Sequence, residues 1–180
     1  NVAIGAESGK ANSSGTCNVA IGSWDNSDSG DIIKGALGGS TAGSYSIAIG
    51  TGALATANED DNDGSVAIGH KACYVQAGTG GAQFANATIG IGYEALTALT
   101  TGAGNVAIGY QAGGNKATES QSVIIGYQAG QTTNADSGSN GVYIGYQAGR
   151  KLYAGSGDCI AIGHLAMGAS SRHSARLSSI

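Results

Sequence analysis

The residues best suited to chemistry in this 180-residue chain are a run of acids, a series of tyrosines and histidines, and three cysteines. Glu59, Asp61 and Asp63 stand at alternate positions ahead of Gly64. That is the opening half of a calcium loop, in which alternate oxygens surround a hard cation. The bidentate Glu that should close such a loop is missing, and His70 stands in its place. A solvated turn is the preferred reading, and calcium is the one cofactor the sequence offers. Cys17, Cys73 and Cys159 are odd in number and lack C-x-x-C spacing. Neither a disulfide framework nor a zinc site is expected from them. They read as small free hydrophobes, which suits assembly in a reducing compartment. His70, His164 and His173 give no convincing metal site within one chain. Ser, His and Asp occur without a G-x-S-x-G elbow, and no phosphate or dinucleotide loop is present. No enzymatic activity is expected.

Composition narrows the class of protein that must hold these residues. There are 33 Gly, no Pro, one Trp and one Phe, and charged residues make up 11%. Glycine loses the most conformational freedom on folding, so a chain this rich in it needs a regular hydrogen-bonded lattice. Its apolar residues, mostly Ala, Ile and Val, argue against disorder. A net charge of −4 leaves no basic stripe for nucleic acid, and no run of 18 apolar residues suggests membrane insertion. Asn1-Val2-Ala3 already lies inside a repeat, without an initiator Met or a signal-peptide pattern, and reads as part of a longer polypeptide.

That repeat organises the whole chain. A four-residue unit, branched apolar, variable, Ile, Gly, begins nine times: at Val2, Val19, Ile47, Val66, Ile89, Val106, Val123, Val142 and Ile160. It closes on Gly5, Gly22, Gly50, Gly69, Gly92, Gly109, Gly126, Gly145 and Gly163. Most intervals between these glycines are 17 to 19 residues; two are 28 and 23. A degenerate copy at Ile32-Ile33-Lys34-Gly35 would fill the longer one, and a loop insertion would explain the other. Three residues after the glycine stands a small residue: Ala53, Ala72, Ala95, Ala112, Ala129, Ala148 and Ala166, with Ser8 in the first copy and Asp25 as a departure in the second. Each unit is too short and too β-branched for a helix. One strand per repeat, stacked in parallel, predicts an all-β parallel solenoid. The glycine should end each strand through a positive φ or a close backbone approach. The repeat domain spans 1–168, with insertions near 23–43, 55–64 and 71–87, and 169–180 is a tail leading to a following segment.

Strand alternation separates two faces. The bulky flanking residues are assigned to the core: Val2, Ile4, Val19, Ile21, Ile47, Ile49, Val66, Ile68, Ile89, Ile91, Val106, Ile108, Val123, Ile125, Val142, Ile144, Ile160 and Ile162. The opposite face then carries Ala3, Ala20, Ala48, Ala67, Gly90, Ala107 and Ala161, with Ile124 and Tyr143 as exceptions. A lone solenoid would leave that strip in water, so a bundle of three coils is expected to bury it.

The run Asn105-Val-Ala-Ile-Gly-Tyr-Gln-Ala-Gly113, echoed from Val123 to Gly130 and from Val142 to Gly149, resembles the head repeats of trimeric autotransporter adhesins (YadA-like heads). It is also similar to related repeats of bacteriophage tail fibres. The resemblance covers nearly the whole chain. It implies a left-handed parallel β-roll, three chains about one axis, and a role in attachment to a host-cell surface glycan or protein receptor. It also implies an extracellular location, on a virion tail fibre or a bacterial surface. Longer, variable coils, the cysteines and the Tyr-Gln-Ala-Gly wording favour a phage-like fibre over an adhesin head.

Within that frame, Trp24 and Phe84, each the only residue of its kind, lie in insertions and are the candidate receptor anchors. Tyr93, Tyr110, Tyr127 and Tyr146 follow the glycines, with His70 and His164 at the same place in other copies. In register they would form an aromatic column, either a receptor-binding stripe or a packing ladder. Gln111, Gln128 and Gln147 come next and should stack as an amide ladder. The competing readings are a shaft spacer that binds nothing and a monomeric ice-binding solenoid. The last would want threonines in each coil, and Thr100-Thr101 and Thr132-Thr133 do not recur.

Overall fold

The computed structural model describes residues 1–24, 34–39, 42–55, 63–75, 86–131, 139–150 and 158–167. Each clear repeat contributes one three-residue strand: β1 (Val2–Ile4), β2 (Val19–Ile21), β3 (Ile47–Ile49), β4 (Val66–Ile68), β5 (Ile89–Ile91), β6 (Val106–Ile108), β7 (Val123–Ile125), β8 (Val142–Ile144) and β9 (Ile160–Ile162). They form one parallel sheet in chain order, β1 to β9. The register never slips, so Ala107 faces Gly90 on one side and Ile124 on the other. The chain is a parallel β-solenoid.

The glycines stop the strands for two reasons at once. Gly109 has φ +134°, and a Cβ there would lie 2.5 Å from the carbonyl oxygen of Gly126 in the next coil. The same approach recurs down the column, as at Gly50 against Gly69. Beyond the glycine the chain turns through further left-handed residues, among them Glu94, Gln111, Gln128 and Gln147. A second ladder then forms on the far side of the coil. The N–H groups of Leu54, Cys73, Leu96, Gly113 and Gly130 donate to Ala72, Ala95, Ala112, Ala129 and Ala148 over 2.7–3.1 Å. The repeated alanines Ala53, Ala72, Ala95, Ala112, Ala129 and Ala148 are fully buried there, as their small size suggested.

Two expectations about the coil are corrected. None of the eighteen flanking residues assigned to the core is buried (Val2, Ile4, Val19, Ile21, Ile47, Ile49, Val66, Ile68, Ile89, Ile91, Val106, Ile108, Val123, Ile125, Val142, Ile144, Ile160 and Ile162). The buried position is the strand centre: Ala20, Ala48, Ala67, Ala107, Ile124, Tyr143 and Ala161. The reason is width. The turn ladder packs directly behind the strand, so the interior admits one inward side chain per rung, and two rows of branched residues are left outside. A three-residue strand has a centre and two flanks, and alternation alone does not say which points inward.

The second correction concerns the long interval. β2 pairs directly with β3, so no rung stands between them at Ile32-Ile33-Lys34-Gly35. Gly35-Ala36-Leu37 instead completes the turn of the second coil. The Leu37 N–H donates to Ala53, and the Ala36 carbonyl accepts from Gly9. Ala36, not Asp25, therefore occupies the small-residue position, and it is fully buried.

The narrow interior is filled by compensation. Where the strand centre is Ala48, Ala67 or Gly90, the turn six residues on carries Leu54, Cys73 or Leu96. Where the centre is Ile124 or Tyr143, it carries Gly130 or Gly149. A Cβ on Gly130 would press within 3.1 Å of Ile124 Cγ2, and one on Gly149 would run into the Tyr143 ring. Close packing of a core this thin favours such pairing, because one methylene too many forces strain. At Ala107, whose turn carries Gly113, Leu96 and Ile124 of the neighbouring coils occupy the space instead.

Candidate functional site

Parallel stacking turns each repeat position into a column, and four columns carry polar or aromatic groups. In the first, His70, Tyr93, Tyr110, Tyr127, Tyr146 and His164 stack ring on ring, with centroids 5.1–5.3 Å apart and interplanar angles of 7–16°. The four tyrosines are just over 40% exposed. Because each inner ring has a neighbour on both faces, the column offers edges and hydroxyl tips to solvent. A sugar that stacks on an aromatic face finds no open face within it. The geometry fits a seam that ties coil to coil.

Beside it runs the amide ladder. Gln147 Nε2 donates to Gln128 Oε1 and Gln128 Nε2 to Gln111 Oε1, each over 2.9 Å. Gln111 Nε2 ends the chain on the Glu94 carboxylate at 2.8 Å. A carboxylate is a fitting terminus, since it accepts without needing to donate onward.

Two further ladders precede the strands, and sequence reasoning missed them. Asn18, Ser46, Ser65, Thr88, Asn105 and Ser122 stand immediately before their strands and are buried. Their side-chain oxygens accept backbone N–H groups from the next coil: Asn18 Oδ1 from Ser46, Asn105 Oδ1 from Ser122, and Ser122 Oγ from Gly141. Two residues earlier, Ser44 N–H donates to Asp63 Oδ1 at 2.6 Å, and Asp63 N–H to Asn86 Oδ1 at 2.9 Å. The signal was present in the repeated Asn, Ser or Thr ahead of each unit. These small acceptors satisfy backbone donors that a buried turn would otherwise strand.

The Asp63 carboxylate accepts from Ser44 in this ladder, and the other two acids of the calcium half-loop, Glu59 and Asp61, lie outside the described residues. Trp24 is 41% exposed where the chain leaves the second coil, its N–H bonded to Ala6. Phe84 lies outside the described residues, as do most of the insertions and all of the tail 169–180. The tyrosines are brought together; Trp24 is not part of their stack. Among the described residues, no helix is long and apolar enough to cross a membrane.

The thiols are free, with Cys17 exposed and Cys73 fully buried. Burial pushes the Cys73 thiol from 9.0 up to about 12. A disulfide-exchange reagent should therefore modify Cys17 quickly and Cys73 only when the coil opens. The folded thiol stays protonated where the unfolded one ionises. Its contribution to stability is complete below pH 9 and is lost as pH rises from 9 through about 12. Denaturation midpoints across that range, compared with Cys73→Ala, check the sign.

The most exceptional group lies inside the rod. Lys116 and Glu119 form an ion pair with side-chain exposures of 0% and 2%. The Lys116 Nζ sits 5.0 Å from the centre of the Tyr143 ring. Desolvation by burial holds the Lys116 amine below its ordinary range, against the opposing pull of Glu119, and burial likewise raises the Tyr143 phenol. Compared with family models, with curated proteins and with solved structures, the chain finds no match.

Proposed function

We propose that the chain is a structural and adhesive segment of a homotrimeric fibre, built from three left-handed β-rolls and displayed on a virion or cell surface. One observation carries this reading. The two rows of valines and isoleucines outside the sheet form a continuous apolar strip over nine rungs. In the inner strands Ile47 is 37% exposed and Ile108 38%, with the other flanks half-buried. The end strands are more open, with Ile4 at 57% and Ile162 at 64%. Burying one such side chain fully is worth about 1.5–3 kcal/mol. Contiguous apolar surface is the usual mark of an association face. Three copies related by a closed threefold axis would bury it symmetrically. The strip that covers itself is thus the aliphatic one, not the alanine strip.

The rod then serves as a rigid scaffold from which insertions project, and loops on rigid scaffolds are where recognition is usually placed. Trp24, exposed at the root of the first insertion, is the described anchor, and Phe84 is its counterpart in sequence. The partner is a glycan or protein on a host-cell surface. The resemblance to tail-fibre and adhesin-head repeats supports this assignment. The test is binding of labelled wild-type segment and of Trp24→Ala with Phe84→Ala to candidate host cells. At least a tenfold loss of bound rod, with unchanged circular dichroism, is expected. No binding by the wild type would reduce the segment to a spacer.

A further inference from the structure

The Lys116–Glu119 pair sets an amine against a carboxylate inside a closed core. Both side chains are enclosed, and Nζ touches Oε1, one bond from the carboxyl carbon. The lysine stem lies in a channel opened by two glycines. A Cβ on Gly113 would lie 3.6 Å from Lys116 Cδ, and one on Gly130 would lie 3.1 Å from Cε. Both backbones are pinned. Lys116 N–H donates to the Gly113 carbonyl at 3.0 Å, and Asn105 Nδ2 donates to the Glu119 carbonyl at 2.6 Å. The Tyr143 ring covers the amine, and its hydroxyl, buried in the same core, has no hydrogen-bond partner among the described residues.

We propose that Lys116 and Glu119 condense into an intramolecular amide inside the rod. A proton passes from Nζ to the carboxylate, leaving a neutral amine and a neutral acid. The Nζ lone pair attacks Cδ, and the Nζ–Cδ bond forms. One carboxyl oxygen leaves with its own proton and one from Nζ, as water. The product is a secondary amide, and no oxidant or reductant is involved. Burial keeps the Tyr143 phenol protonated, and its ring covers the amine on the face away from bulk water. Desolvation favours the neutral amine that must attack. Fixed neighbours react with effective molarities on the order of 10⁵–10⁸ M, which favours a condensation that does not proceed between free groups in water. The reaction also removes two charges from a core that solvates them poorly. It requires only the folded coil, so it stands or falls independently of the fibre assignment.

The decisive experiment is the intact mass of the folded full chain, incubated at neutral to mildly alkaline pH and then denatured, followed by tryptic mapping. The expected mass is lighter than the summed sequence by one water, with the loss confined to the peptide containing Lys116 and Glu119. Trypsin should fail to cut after Lys116. Both signatures should vanish in Lys116→Arg and in Glu119→Ala. The full summed mass with normal cleavage at Lys116 would overturn the proposal, whatever the variants do. So would a water loss that maps to Asp63-Gly64, where a succinimide also forms by dehydration, and that persists in Lys116→Arg.

Discussion

Gly109→Ala is expected to destabilise the solenoid by about 2–6 kcal/mol, combining about 1–3 for the backbone conformation with about 1–3 for overpacking. At φ +134° an L-residue is strained before any contact is considered, and its Cβ would meet the Gly126 carbonyl at 2.5 Å. That carbonyl belongs to the rigid backbone of the next coil, so it cannot swing aside as a side chain could. Gly64→Ala supplies the contrast. Gly64 also has a positive φ, +67°, but nothing lies within 4 Å of its added Cβ. Its cost should be the left-handed penalty alone, about 1–2 kcal/mol. Urea midpoints of both variants, at one protein concentration, separate the two terms. Equal losses would mean that close stacking of the glycine column contributes nothing.

The second large effect concerns assembly. Ile108→Asp with Ile125→Asp should leave the coil folded and abolish self-association. Both side chains point away from the interior of the single chain. Neither substitution therefore opens a cavity. In a bundle, each would bury an unpaired carboxylate near the threefold axis, and three copies would be brought close together. Isolated charges cannot be desolvated there without a penalty of several kcal/mol per ion. Sedimentation should show a shift to monomer, with the far-ultraviolet spectrum preserved. If the double variant keeps the wild-type mass, the aliphatic strip is not the interface.

Much of this architecture is legible in the spacing of the repeat. The spacing of Gly92, Gly109, Gly126, Gly145 and Gly163 announced one strand per coil, and the strands pair in that register. The aromatic and glutamine columns followed from the same spacing, because in-register parallel stacking superposes like upon like. The facing of the strand did not follow. Bulk at Val106 and Ile108 suggested an interior, yet the turn ladder leaves room for only Ala107. Knowing which side of the strand the turn returns on requires the left-handed residues after the glycine, such as Gln111 and Gln128, which no propensity anticipates. The second coil was misread for a related reason. Ile32-Ile33 looked like a strand, but β2 pairs directly with β3, and Gly35-Ala36-Leu37 completes the turn of the second coil.

The interior cluster was hidden more deeply. Lys116 and Glu119 carry no sequence signature beyond their i, i+3 spacing. Their burial depends on Gly113 and Gly130 clearing a channel and on Tyr143 filling the same core. The replacement of Leu54, Cys73 and Leu96 by glycines in later coils was the available clue. It became meaningful only once the turn column and the strand centre were seen to share one narrow space.

The claim on which the functional reading rests is that the aliphatic strip is covered by two further copies of the chain. The direct test is the solution mass of the isolated segment, by light scattering after size exclusion over a range of concentrations. Three times the 17.5 kDa chain, persisting on dilution, is the expected result. A particle of 17.5 kDa at every concentration would contradict it, and with it the fibre.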